Sequence, residues 1–124
     1  MFKVDENGNI SCVQGDSGEL VVNGIPNNKN YKLYLAIQDE NRKPIGGEIS
    51  VNTNGFSTVT FILTPNLTNL LQVSKYEEYA IYYYGLKLCD EQTGNEDTLN
   101  IGSNNLGDKA IITVFPKLVD GLEG

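Results

Sequence analysis

At 124 residues the chain is long enough for one domain, 1–124, with a core that needs no metal or disulfide staple. A net charge of −7 and a pI near 4.4 oppose a nucleic-acid partner, because that binding rests on Lys and Arg displacing counterions from phosphates. Cationic residues are also scattered, with only Arg42-Lys43 adjacent, and no apolar run is long enough for a signal peptide or a membrane span.

A cytosolic, reducing origin follows as the expectation, with Cys12 and Cys89 as two buried thiols and not a disulfide.

Along the chain the punctuation is that of a β protein. Asn7-Gly8, Asn23-Gly24 and Asn54-Gly55 supply residues that tolerate positive φ, and Asn27-Asn28 and Thr93-Gly94 mark further turns. Between them apolar residues alternate with a period of two. Ile10 and Cys12 predict a first strand and Glu19 to Val22 a second. Tyr31 to Asp39 follows, with Leu33, Leu35 and Ile37 on one face. Ile49 and Val51 then predict a hairpin across Asn54-Gly55 with Val59, Phe61 and Leu63.

Thr64-Pro65 reads as an N-cap and first helical position, with Leu67, Leu70 and Leu71 sharing one face of a short helical turn near residues 65–71. A long strand from about Glu77 to Cys89, a short one at Thr98 to Ile101 and a last one from Ala110 to Phe115 complete the set, with Pro116 as the stop. The expected fold is all-β: a two-sheet antiparallel β-sandwich of about eight strands.

Two strands break the usual pattern of one wet face. Tyr34 and Ala36 lie opposite Leu33, Leu35 and Ile37, and Tyr82, Tyr84, Leu86 and Leu88 oppose Tyr79, Ile81 and Tyr83. Cover for the outer face is expected from the short helix, either alone or with another chain.

Gly15-Asp16-Ser17-Gly18 has the look of a serine-protease nucleophile string, but that chemistry needs a general base, and the chain contains no His. A tight turn between the first two strands is the expectation, with Asp16 or Ser17 bonding nearby amides. Without His, two distant Cys cannot complete a zinc site. Two acidic clusters, Asp5-Glu6-Asn7-Gly8-Asn9 and Asp90, Glu91, Glu96 and Asp97 around Gly94, lack the ligand order of an EF-hand and read as solvated turns, the second being the better calcium candidate. The sequence therefore nominates no catalytic, cofactor-binding or metal-ligating residue. Alternation singles out no opposed carboxylate pair for glycoside chemistry either. Its interaction candidates are aromatic: Tyr34, Tyr79, Tyr82, Tyr83 and Tyr84, a residue type that packs cores in strands and, where exposed, binds proteins and sugars.

The order of these features carries a resemblance. An early Gly15-Asp16-Ser17 turn lies between short strands, and Leu63-Thr64-Pro65 with Thr68-Asn69-Leu70-Leu71 follows the predicted hairpin. Then come the Tyr82-Tyr83-Tyr84-Gly85-Leu86-Lys87-Leu88 strand, Gly94-Asn95-Glu96-Asp97-Thr98-Leu99, and Ile111 to Phe115. From about Ile10 to Val119 the chain resembles the N-terminal domain of baseplate upper proteins and related tail or fibre modules of phages infecting Gram-positive bacteria. It departs at Gly85 and Lys75, where such domains often carry Asp and Gly. The resemblance implies a virion structural module, assembled in the host cytoplasm, that attaches a tail, baseplate or fibre component through contacts with other virion proteins, as a homotrimer and without catalysis. The alternative is a module recognising a bacterial surface glycan through exposed tyrosines.

Overall fold

A computed structural model describes residues 1–99 and 109–118. The chain forms β1 (Phe2–Val4), β2 (Ile10–Val13), β3 (Gly18–Val22), β4 (Lys32–Gln38), β5 (Pro44–Asn52), β6 (Val59–Leu63), α1 (Pro65–Thr68), β7 (Ala80–Cys89), β8 (Glu96–Leu99) and β9 (Lys109–Phe115). The fold is all-β in two sheets, as the alternation predicts. The larger sheet has the order β1-β2-β9-β7-β4-β5, with β8 also on β7, and the smaller consists of β3 and β6. Among the described residues every pairing is antiparallel except β2 with β9, which run parallel. The first strand, β1, is an addition to the predicted set: three residues are too few to show a period.

Within the large sheet, β8 and β9 follow one another along the same edge of β7. Leu99 is opposite Leu86, and Lys109 is opposite the next residue, Gly85. The predicted strand at Thr98 to Ile101 is met by β8 as far as Leu99; Asn100 and Ile101 lie outside the described residues.

The predicted hairpin across Asn54-Gly55 does not form. The turn itself is present, with Asn54 at φ 53° and Gly55 at φ 80° and the Phe56 amide donating to the Thr53 carbonyl. But β5 pairs with β4, and β6 pairs with β3 in the other sheet. The residues around the turn explain why. The Thr53 amide donates to the Tyr31 carbonyl while its hydroxyl accepts from the Tyr31 amide, both at 2.9 Å, and the Asn54 amide donates to Asn30 Oδ1. On the far side the Ile25 amide donates to the Ser57 carbonyl and the Thr58 hydroxyl to Asn23 Oδ1. The turn is thus fastened to the segment that joins β3 to β4, and the chain changes sheets there. The smaller sheet consequently spans the edges of the larger one, with β3 beside β1 and β6 beside β5.

The core lies between the sheets. Leu33, Leu35 and Ile37 of β4, Tyr82, Tyr84, Leu86 and Leu88 of β7, and Ile112 and Val114 of β9 meet Leu20, Phe61 and Leu63 from the smaller sheet. Apolar burial of this kind contributes about 25 cal/mol per Å² and is the main force holding the sheets together. Phe2 lies against Gly18, where a Cβ would come within 2.0 Å of the ring. That contact ties β1 to β3.

The helical turn begins as predicted, with Thr64 as N-cap accepting from the Leu67 amide and Pro65 in the first turn. It does not cover the outer face of the large sheet. Leu71 sits in the core, and the hydroxyl of Tyr82, an inward residue, donates to the Gln72 carbonyl at 2.6 Å. Leu70 is left exposed. The segment therefore closes the core side of the sandwich. The Thr68 hydroxyl, fully buried, donates to the Asp16 carbonyl across to the β2–β3 turn.

Candidate functional site

The Gly15 to Gly18 string is a turn joining β2 to β3. Gly15 adopts φ 88°, and the Asp16 amide donates to the Val13 carbonyl. The Asp16 carboxylate pairs with the Met1 ammonium and not with a neighbouring amide. Ser17 is exposed. Cys12 is buried and Cys89 half-buried, and both are free thiols. Burial pushes the Cys12 thiol up to about 11, with the nearby Asp16 charge adding to the shift, so it stays protonated and behaves as a core residue.

The acidic clusters serve their own turns. Asp5 Oδ1 accepts from the amides of Asn7 and Asn9, both at 2.9 Å, closing the β1–β2 loop. Asp39 does the same with the amides of Asn41 and Lys43 between β4 and β5. Around Gly94 the carboxylates point to separate partners: Asp90 to Lys29 and to the Gln92 amide, Glu96 to Lys87. Among the described residues no three His, Cys, Asp or Glu side chains gather closely enough to hold a metal ion.

The tyrosine candidates divide by face. Tyr82 and Tyr84 must be withdrawn as interaction residues: they are inward-facing core residues, 7% and 2% exposed. Strand alternation sends them to the side of Leu86 and Leu88, and their hydroxyls end on the carbonyls of Gln72 and Gly8 at the rim. Tyr34 and Tyr83 are half-buried on the opposite, outer face, and Tyr79 is 48% exposed just before β7.

That outer face has two halves. On one side, Val13 of β2 lies opposite Phe115 of β9, and Tyr83 of β7 lies opposite Ile111. The Tyr79 and Phe115 rings meet at 6.3 Å, tilted by 56°. Ile111 and Phe115 are 39% and 37% exposed. Lone exposed apolar residues are ordinary, but here Tyr83 opposite Ile111 and Tyr79 against Phe115 share one face, with Ile81 opposite Thr113 between them. Apolar residues gathered on one face mark an interaction surface.

On the other side the face is hollow. Ala36 of β4 is directly opposite Gly85 of β7, so the two smallest side chains lie together in the middle of the sheet. The walls rise at the neighbouring levels. Tyr34 is opposite Lys87, and Gln38 is opposite Tyr83. The result is a groove of about 580 Å³, rimmed further by Arg42, Glu48, Glu96 and Thr98. Lys32 holds its ammonium 5.6 Å from the centre of the Tyr34 ring, and Lys87 pairs with Glu96 at 3.2 Å. Glu48 and Glu96 lie on strands separated by β4 and β7. Three strand spacings place their backbones roughly 14 Å apart, and Glu96 is already paired with Lys87.

No protein-family model and no curated protein matches the chain. The reading of the site therefore rests on its residues and geometry.

The sequence did not reveal the hollow. Ala36 and Gly85 are far apart in the chain, and only the register of β4 on β7 brings them together. One signal was available: a glycine inside a strand pattern marks a bulge or a close approach by another molecule.

Proposed function

We propose that this domain is a non-catalytic structural module of a phage or prophage virion, attaching a tail, baseplate or fibre component through protein–protein contacts. The apolar half of the outer sheet face makes those contacts. The observation that carries the reading is the row of apolar side chains, Tyr79 against Phe115 and Tyr83 opposite Ile111, on a face whose opposite side forms the core. An exposed patch of this kind costs solubility unless another chain buries it. The sequence resemblance supplies the class of partner: other virion proteins, with the domain itself as a homotrimer. The groove on the other half of the face leaves room for a second function.

The assignment to a virion is tested by mass spectrometry of particles purified after induction of the bacterium that carries the gene. The proposal expects peptides of this chain in the particle fraction, in a constant ratio to tail proteins. Their absence from otherwise complete particles overturns it.

A further inference from the structure

The hollow at Ala36 and Gly85 lies in the middle of a sheet. On one side of Gly85 the ladder continues to Ala36 and on the other to Lys109. Gly85 is therefore paired on both sides, and Ala36, where the register of β4 on β5 shifts, still lies on an interior strand. A peptide cannot be held there by strand addition, which requires a free edge. Recognition has to come from side chains.

Those side chains are of two kinds. Tyr34 and Tyr83 stand at opposite ends of the groove. Tyr83 is opposite Gln38, four residues along β4 from Tyr34, which separates their backbones by roughly 13 Å, about the length of two to three linked pyranose rings. A tyrosine ring offers an apolar surface of low entropy cost together with a hydroxyl. Between and around the rings are hydrogen-bonding groups: the Gln38 amide, the Thr98 hydroxyl and the Glu48 carboxylate.

Charge narrows the ligand further. Among the lining residues Arg42 and Lys87 are offset by Glu48 and Glu96, Lys87 is already paired with Glu96, and the nearby Lys32 ammonium is held against the Tyr34 ring. A balanced rim offers no net attraction to phosphate or to an acidic group, and the protein's net charge of −7 opposes both. A wholly apolar ligand would strand these polar groups without partners. Aromatic walls, a dense set of donors and acceptors and a neutral rim fit a ligand that has apolar C–H faces and hydroxyl edges.

We propose that the groove bounded by Tyr34, Ala36, Gln38, Glu48, Tyr83 and Gly85 binds a short neutral saccharide. Sugar rings lie in the hollow above Ala36 and Gly85, packed by the two tyrosines, with their hydroxyls bonded to Gln38 and Glu48. The groove shares Tyr83 with the apolar half of the face, to which the protein–protein contacts are assigned.

The test is saturation-transfer NMR on the intact chain against an array of neutral and acidic oligosaccharides, the neutral set including maltotriose, cellotriose and chitotriose. The expected result is transfer to at least one neutral oligosaccharide, with binding at least tenfold weaker in Ala36→Leu, which fills the hollow, and in Tyr34→Ala, which removes a wall. Both positions lie outside the core, and circular dichroism checks that each variant is folded. No transfer to any neutral member, transfer to acidic members alone, or affinity within twofold of wild type in both folded variants would each overturn the proposal.

Discussion

Ala36 of β4 faces Gly85 of β7 across the ladder, and this pairing of the two smallest side chains leaves the hollow in the outer sheet face. Gly85 does not have the positive φ that would require glycine. A glycine in an ordinary strand conformation costs backbone entropy on folding that alanine does not. Gly85→Ala is therefore expected to stabilise the fold by about 0.4–1 kcal/mol, read as a higher urea midpoint. An unchanged or lower midpoint would mean that the backbone at Gly85 needs the missing Cβ.

Tyr84 reaches from the middle of β7 to the β1–β2 loop, where its hydroxyl donates to the Gly8 carbonyl. Tyr84→Phe keeps the packing and removes that bond, at an expected cost of about 0.5–1.5 kcal/mol. Tyr82→Ala or Tyr84→Ala empties a core site and should cost roughly 3–5 kcal/mol. Denaturant midpoints separate the two outcomes. A cost within about half a kcal/mol for both alanine variants would contradict the inward placement of these rings.

The same hydroxyl has a pH signature. Burial pushes it up to about 12, with Asp5 adding to the shift, against about 10 in an unfolded chain. The fold thus favours the protonated form. Its contribution is complete below about pH 10 and is lost as pH rises through about 12, because the unfolded chain gives up its proton first. Urea midpoints should fall over that interval in the wild type, and less steeply in Tyr84→Phe.

At the acid end the sign reverses. The Lys29 ammonium bonded to Asp90 holds that carboxyl below the usual range, with the Gln92 amide helping. The contribution is present above about pH 3.9, the ordinary aspartate value, and is lost as pH falls through the lower folded value. Asp90→Asn should flatten the acid limb of the stability profile. An acid limb identical to that of the wild type would show that the pair adds nothing.

Gly18 and Phe2 form a pair of a different kind. A Cβ at Gly18 would meet the Phe2 ring at 2.0–2.5 Å, so Gly18→Ala must displace the ring or the strand, at an expected cost of about 1–3 kcal/mol. In Phe2→Ala the obstacle is gone. The added cost of Gly18→Ala in that background should fall by more than half, a coupling that a double-mutant cycle measures directly.

The strands themselves were legible because alternation of period two survives in nearly all of them. Leu33, Leu35 and Ile37 face the core as their spacing requires, and Thr64-Pro65 starts the helical turn. Partner choice was not legible. Ile49 and Val51 bury the same face whether they pair with β6 or with β4, so the alternation was silent where the Asn54-Gly55 turn was misleading. The bonds that decide it, Thr53 to Tyr31 and Asn54 to Asn30, are non-local. The parallel pairing of β2 with β9 joins residues about a hundred apart and leaves no local trace. Among the tyrosines, alternation did separate Tyr83 from Tyr82 and Tyr84. It could not say which set faced the core until the second sheet was placed.

Two loops show how much local sequence can carry. Asp5-Glu6-Asn7-Gly8 and Asp39-Glu40-Asn41-Arg42 build the same bonded turn, down to the positive φ of Gly8, 83°, and of Arg42, 65°. The Asp and Asn positions repeat because their chemistry closes the loop. Arg42 tolerates a conformation better suited to glycine, and it does so at the rim of the groove.

Light scattering on the purified chain over a range of concentrations, with Phe115→Asp beside the wild type, tests most directly whether the apolar half of the outer face is an interface. The prediction is a wild-type mass of three chains, three times 13.6 kDa, and a folded single chain for Phe115→Asp. A wild type that stays at the mass of one chain at every concentration, or a variant that keeps the wild-type mass, would contradict it.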